Sequence, residues 1–399
     1  METTSLEETQ KWIESRIATQ QQFRICGTGS RIAPAVSEKS KPEDSDTLAL
    51  KKLNTVCFFD PDDMVVGIEA GMSISSLQQL LAEKKMVLPV NPWFPDSCVG
   101  SVVSCNDFGA NRMDMGGLRD SIIGIEYING KAEIVQAGGK VVKNVSGYDL
   151  TRMMLGSQGG LGVITAVNFK VTPLPVEPHG MFGKFQDESW IKLLEDLHKQ
   201  RIPLDWIQAV STSDLNWILG LGYSGNQLNR KRIESEIGTV FGSALDILPD
   251  GESFPGQNYT PGEQRFTGFL AGIRDSAAMQ PSSFHVMATL PTNEIFNFPF
   301  ETFRRENFLF AVHPAGGDIH FMQQSSDRTE QLQYLEKIKT ALIHTDSKLR
   351  WVSGAAESSF EELGNFGVAN GYSLAKRLKK HLDPAGVFVA PYYNLDFEK

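Results

Sequence analysis

Four clusters of glycine and small residues lie in the first part of the chain. They are Gly27-Thr28-Gly29-Ser30, Val99-Gly100-Ser101, Asn106 to Gly109, and Gly147 through Gly162, the last within the run GGKVVKNVSGYDLTRMMLGSQGGLGVI from Gly138 to Ile164, which holds seven glycines. Turns built from such residues leave backbone N–H groups pointing outward, and successive N–H groups form nests that bind anions. Several nests converging on one groove would hold a pyrophosphate by main chain alone. The competing reading is that each cluster serves a tight turn.

Other chemistries are excluded by spacing. Gly220, Gly222 and Gly225 form a G-x-G-x-x-G between a strand and a helix, with Asp246 further on, as in a dinucleotide fingerprint. Asn229 stands where that helix needs a small residue, the helix start NQLNRKR is polar all round, and the flanks suit an antiparallel sheet. We read these glycines as a strand-to-helix turn. There is no G-x-x-x-x-G-K-[ST], H-E-x-x-H or G-x-S-x-G. Cys26, Cys57, Cys98 and Cys105 include no C-x-x-C pair, so no metal site is expected and the four read as small apolar residues of a reduced compartment.

Elements that would position the clusters can be read along the chain. Its 399 residues, 41% apolar and 22% charged, suit two or three globular domains. A net charge of -10 argues against a nucleic-acid partner. No apolar run is long enough to span a membrane, and the polar, acidic start does not read as a secretory signal, so the expected location is cytoplasmic. Ser5 and Glu8 suggest a capping box opening a surface helix that carries Leu6, Ile13 and Ile17. FRIC and MVVGIEA read as strands and SISSLQQLLAEKKM as a helix. VVSC reads as a strand entering a glycine turn, and GIEYINGKAEIVQA as a hairpin with a two-residue tip at Asn129-Gly130. From MFGKF onward the order is strand, helix, strand, strand, helix, strand. A loop-like stretch at about 249–283 follows, and then the same order returns up to KLRWVSG. This predicts two tandem split βαβ-like units in one antiparallel sheet. The domains expected are 1–177, 178–372, and a C-terminal helix and tail at 373–399, the helix stopped by Asp383-Pro384.

The pair NDFGANRMDMGGLRDSIIG and KNVSGYDL…GSQGGLGVI resembles the FAD-binding domain of the p-cresol methylhydroxylase and vanillyl-alcohol oxidase family. Within it, the chain is most similar to the small flavin subunits of bacterial glycolate oxidases, and the closing LKKHLDPAGVF extends the likeness. The resemblance implies an α+β fold: a two-part FAD-binding domain followed by a cap domain with an antiparallel sheet. It implies that Gly27, Thr28, Gly29, Ser30 and Arg31 form a first pyrophosphate loop. A second would comprise Val99, Gly100 and Ser101 with Asn106 to Gly109. Gly147, Tyr148, Asp149 and Leu150 would pass the flavin, while Gly159, Gly162, Val163 and Ile164 complete the pocket. GTGSR has no histidine, so the FAD is expected to be non-covalent.

Hydride transfer from a 2-hydroxy acid to a flavin requires a base for the hydroxyl proton and a cation for the carboxylate. Catalytic members of the resembled family carry H-x-G-D-G-N-x-H in the cap. HPAGGDIH keeps two histidines seven apart, so His313 and His320 are candidates for a base or metal pair, against a plain turn between strands. Tyr148 is a further candidate, assigned first to the flavin pocket. Arg112, Arg119 and Asp120 read as a local ion pair. The implied function is that of an FAD subunit of a glycolate (2-hydroxy acid) oxidase or dehydrogenase, beside a larger flavin subunit and an iron–sulfur subunit. Any membrane association would come through those partners. A non-catalytic scaffold subunit and a stand-alone dehydrogenase are the alternatives.

Overall fold

The computed structural model describes the chain apart from residues 30–46, 91, 95, 110–111, 141–148, 176–177, 213, 248–283, 326, 354–371 and 390–399. The chain forms two compact units. One comprises Met1–Gly109, Gly116–Pro173 and Ala355–Lys399, the other Ala110–Met115 and Leu174–Gly354. The stretch expected as a loop at about 249–283 lies outside the described residues.

In the first unit, strand Phe23–Cys26 pairs in parallel with Thr47–Ala49 on one side and Phe388–Val389 on the other. A five-stranded antiparallel sheet runs in the order Val56–Asp60, Val65–Glu69, Val163–Lys170, Ile122–Ile128, Ile134–Gly138. The central strand VITAVNFK carries Val163, Thr165, Val167 and Phe169 as fully buried alternate residues. The N-terminal helix Leu6–Thr19 is capped by Ser5, whose hydroxyl accepts the Glu8 N–H at 3.2 Å. The Glu8 carboxylate accepts the Thr4 N–H at 2.8 Å, so only half of the expected capping box forms.

Two local expectations are corrected. Val99–Cys105 is a helix, not a strand. Its valines favour β structure in isolation, but Val99, Val102 and Val103 stand at i, i+3 and i+4 and all three are fully buried, so tertiary packing overrides propensity. The hairpin tip spans residues 129–133 rather than two residues, since Ile128 pairs with Ile134. Asn129 Oδ1 accepts the N–H groups of Lys131 and Glu133, and Ala132 takes the positive φ. Gly130 is required for a different reason. A Cβ there would lie 2.5 Å from Asp383 Cα, and its N–H donates to Leu382 O at 2.7 Å.

That contact fixes the end of the C-terminal helix Tyr372–Leu382. Just beyond it, buried Asp383 pairs with buried Lys379 at 2.5 Å and accepts the N–H groups of Val387 and Phe388. Lys379 also donates to Phe388 O at 2.8 Å. Burial pushes the Lys379 ammonium down, against the pull of Asp383.

The second unit is built on one eight-stranded antiparallel sheet. Its order is Asp246–Ile247, Pro178–Phe185, Trp217–Ser224, Trp206–Ser211, Leu309–His313, Asp318–Gln323, Phe284–Thr289, Lys348–Ser353. Each half reads strand, helix, strand, strand, helix, strand, except that two short helices, Thr292–Phe296 and Phe300–Arg304, fill the first helical place of the second half. One face of the sheet is aromatic. Phe310 packs edge-on against Phe298, Phe300 and Phe321, and Phe284 against Tyr334 and Trp351, which seats the helices on that face. Glu188 joins it through the Arg304 guanidinium at 2.6 Å and the Trp217 indole N–H at 3.1 Å. The other face carries the polar residues described below.

Gly222 lies in an antiparallel strand, opposite Trp206, whose indole occupies the space a Cβ would take. The following helix, Gln227–Phe241, is capped by Asn226, which accepts from Leu228 and Asn229. The fingerprint glycines thus serve packing and a turn.

Candidate functional site

In the first unit the glycine clusters meet around the helix Val99–Cys105. Strand Phe23–Cys26 delivers Gly27 onto its first turn. A Cβ at Gly27 would come far closer than 3.0 Å to Cys98 Sγ and lie 3.3 Å from Cys98 Cβ. Cys98 is buried where that loop meets the helix, and its side chain makes no capping hydrogen bond to the first turn. Burial pushes the Cys98 thiol up, and the backbone amides of Ser101 and Thr28 oppose the rise. Gly29 has a φ of +77°, which favours glycine, and among the described residues nothing lies within 4 Å of its Cβ position.

Not every expected donor points outward. The Val99 N–H donates to Met72 O and the Gly100 N–H to Ala70 O, both at 2.8 Å. Those amides serve the fold, and Gly100 is small because a Cβ would sit 3.0 Å from that of Ala70. Asn106 ends the helix with a positive φ of 51° and Gly109 follows with 74°. The loop before strand Val163–Lys170 runs back along the same helix, with Gly156 N–H on Val103 O at 3.2 Å and Gln158 N–H on Ser104 O at 2.8 Å. Gly159, with φ of +80°, brings that loop to Ile25, where a Cβ would be 3.2 Å from the side chain.

The remaining candidates divide. Gly162 packs against the neighbouring strand, where a Cβ would be 2.9 Å from Ile128 O. Val163 and Ile164 pair with Ile128 and Tyr127 and put their side chains into the core. Asp149 caps the short helix Leu150–Met153 by accepting the Arg152 N–H at 3.1 Å. Ser30, Arg31, Gly147 and Tyr148 lie outside the described residues. Two polar groups escaped the sequence reading. Ser157 Oγ and Gln158 Oε1 are buried atoms with no hydrogen-bond partner among the described residues. The only sequence signal was their place between Gly156 and Gly159.

The residues expected as a local ion pair make the following contacts. Asp120 accepts the Gly117 N–H at 2.9 Å and opens the turn Leu118–Ser121, while Arg112, in the second unit, donates to Gly316 O at 3.4 Å.

In the second unit, HPAGGDIH is a hairpin turn. The N–H groups of Gly316 and Gly317 both reach His313 O at 3.0 Å, and Gly317 has a φ of +79°. The turn delivers His313 and His320 to the sheet face opposite the aromatic core, with ring centroids 5.3 Å apart. Asp318 lies directly across from His313 and accepts the Thr289 hydroxyl at 2.8 Å. His285, on strand Phe284–Thr289, is the residue the sequence reading missed: its Nε2 lies 2.8 Å from His320 Nδ1. All four groups are at most 4% exposed. In the same cross-strand row, Met287 separates His320 from Arg350, and the Arg350 guanidinium touches the Met287 sulfur at 3.3 Å. Gln208 Oε1, two residues before Val210 in the adjoining strand, is buried with no hydrogen-bond partner among the described residues. Among the described residues no His, Cys, Asp and Glu cluster has a metal-binding arrangement.

A family profile described as an FAD binding domain matches residues 1–138. Residues 1–138 are an FAD-binding domain. Beyond it, the chain is 33% identical over 137 residues to the glycolate oxidase subunit GlcE of Escherichia coli (strain K12), covering 34% of this chain and 39% of that protein. It is 30% identical over 129 residues to glycolate oxidase subunit GlcD of Bacillus subtilis (strain 168), covering 32% and 27%. It is 29% identical over 210 residues to a D-lactate dehydrogenase of Anaerostipes hadrus, covering 52% and 42%. The chain therefore spans less than half the length of each of these relatives. A solved alkyldihydroxyacetonephosphate synthase shares the fold with a TM-score of 0.69 at 13% identity, over 99% of this chain and 77% of that one. Among the described residues no helix is long and apolar enough to cross a membrane.

The cofactor of the FAD-binding domain is FAD, and the residues fit it. The open, positive-φ Gly29 and the unpartnered Ser157 and Gln158 oxygens belong to the two loops that the helix Val99–Cys105 joins. A group rich in phosphate oxygens, amides and ring nitrogens matches such a mixed set of donors and acceptors.

Proposed function

We propose that this protein is an FAD-dependent oxidoreductase of 2-hydroxy acids, working as the FAD-binding subunit of a glycolate oxidase-like complex. The observation that carries the redox reading is the close packing of Gly27 on Cys98, which seats the glycine loop on the helix Val99–Cys105 inside a matched FAD-binding domain. Thr28, Gly29, Ser30 and Arg31 would hold the pyrophosphate. Ser101, Asn106 and Gly109 would add to it, and Gly147 to Leu150 with Ser157 to Ile164 would bound the flavin. GTGSR offers no histidine for a covalent link, so the FAD is held non-covalently. When bound, the flavin supplies the hydride acceptor.

This chain's own residues supply the rest. His320 takes the hydroxyl proton on Nε2, because its Nδ1 is engaged by His285. Arg350, in the same row of the sheet, provides the cation for a carboxylate. Burial of the cluster keeps water from competing for the proton. Support for the substrate class is the naming of relatives as glycolate oxidase subunits and D-lactate dehydrogenase. A larger flavin subunit and an iron–sulfur subunit complete the complex as we propose it.

The test is a near-ultraviolet and visible spectrum of the purified chain, before and after acid precipitation, followed by anaerobic glycolate and D-lactate. Flavin released into the supernatant and then bleached by a hydroxy acid is the expected result. Bound flavin that no hydroxy acid bleaches, with or without partner subunits, would refute the activity and leave a scaffold subunit.

A further inference from the structure

His285 sits in the otherwise apolar strand FHVMAT, and its ring is completely buried. The strand register sets it directly opposite Met322 and diagonal to His320, on the same face of the sheet. The two imidazoles share one hydrogen bond, His285 Nε2 to His320 Nδ1 at 2.8 Å. A neutral imidazole has one protonated and one bare ring nitrogen, so this bond has two possible polarities. If His285 donates, His320 accepts on Nδ1 and carries its own proton on Nε2, where it can take no other. If His320 donates from Nδ1, its Nε2 carries the lone pair.

Only the second arrangement makes His320 a base. We infer that His285 is a positioning residue, a buried neutral acceptor that holds His320 in the tautomer with Nδ1 protonated. The inference rests on the reading of His320 as the group that takes the substrate proton. On oxidation of the alcohol the hydroxyl O–H bond breaks and the proton goes to His320 Nε2, while bound flavin would supply the acceptor for the hydride of the C–H bond. The imidazolium so formed keeps its Nδ1–H on His285, now as a charge-assisted bond that stabilises it. His285 therefore does without charge what a carboxylate does beside a catalytic histidine. A buried carboxylate would hold the proton on His320 after the reaction, whereas a neutral acceptor releases it more readily. Among the described residues, the other titratable or charged groups on these neighbouring strands of the face are His313, with its ring 5.3 Å from that of His320, Asp318 opposite His313, Arg350 opposite Met287, and Lys348 opposite Thr289.

The test reads the tautomer directly, without substrate. The full chain is labelled with nitrogen-15 histidine, and its ring nitrogens are recorded by long-range correlation NMR at neutral pH. His320 is assigned from its Gln variant. Wild-type His320 is expected to show a protonated Nδ1 and a bare Nε2. His285→Phe, which removes the acceptor, is expected to move His320 to the Nε2–H form. In His285→Gln, Oε1 stands where Nε2 was, so the wild-type pattern is retained. In stopped-flow reduction of the bound flavin, His285→Phe is expected to be slower by about 100-fold with KM unchanged, and His285→Gln to recover to within about tenfold of wild type. A wild-type His320 protonated on Nε2 overturns the inference, as does a His320 tautomer indifferent to both substitutions. If the tautomer pattern appears as expected but no hydroxy acid reduces the wild-type flavin, the substrate reading falls while the His285 bond stands.

Discussion

Substituting Gly27 by Ala tests whether the packing around Cys98 governs cofactor binding. The added Cβ would press into Cys98 Sγ, and only the movement of one of them relieves it. Sγ has little room to swing, because the residue is 2% exposed. Overpacking of this kind costs about 1–3 kcal/mol. Among the described residues nothing crowds the Gly29 end of the loop, so part of this strain is relieved by shifting the loop away from the helix. If about 2 kcal/mol falls on the loop geometry that FAD needs, affinity drops about 30-fold. The assay is titration of the apoprotein with FAD by flavin fluorescence, with thermal melting in parallel. The decisive variant is Gly27→Ala combined with Cys98→Ala. It removes the sulfur and leaves a Cβ–Cβ contact of 3.3 Å, so binding should recover by about tenfold over Gly27→Ala alone, a coupling that independent sites would not show. Wild-type affinity in Gly27→Ala, or a double variant no better than the single one, would refute the role of this packing.

Further expectations concern the scaffold. Lys379→Met leaves the Asp383 carboxylate buried without its cation and should cost about 3–5 kcal/mol in urea unfolding. Hydrogen exchange should then quicken at Phe388 and along Phe23–Cys26, which the ion pair holds in register. Burial pushes the Asp205 carboxyl up, opposed in part by the Ser224 hydroxyl, so its proton is bound more tightly folded than unfolded. Asp205 therefore lends its full stability below the unfolded carboxylate pKa and loses it as pH rises through the folded value. Asp205→Asn should raise Tm at neutral pH, and the gain should vanish in acid below the ordinary aspartate range. Gly222→Ala drives a Cβ into the Trp206 indole and should lower stability by about 1–3 kcal/mol with FAD affinity unchanged. A specific loss of FAD binding there would restore the fingerprint reading of Gly220, Gly222 and Gly225.

Short-range physics made much of this protein legible from its residues. The alternation in VITAVNFK and FHVMAT, the periodic helix RTEQLQYLEKIKTAL and the doubled strand-helix order of the second unit all follow from side-chain period, and the structure has them. The glycine clusters marked the turns that gather around the helix Val99–Cys105. Tertiary contacts decided the rest. Val99–Cys105 became a helix because three valines on one side of it are buried together, which no local propensity favours. The hairpin tip widened because Asn129 satisfies two backbone donors and Gly130 must admit Asp383, about 250 residues later in the chain. Val99 and Gly100 lost their expected role once Met72 and Ala70 claimed their amides. His285 drew no notice in an apolar strand, since its meaning depends on a register that sets it diagonal to His320. A sequence names the groups able to do chemistry, but which atoms remain to do it depends on which donors and acceptors the fold has already consumed.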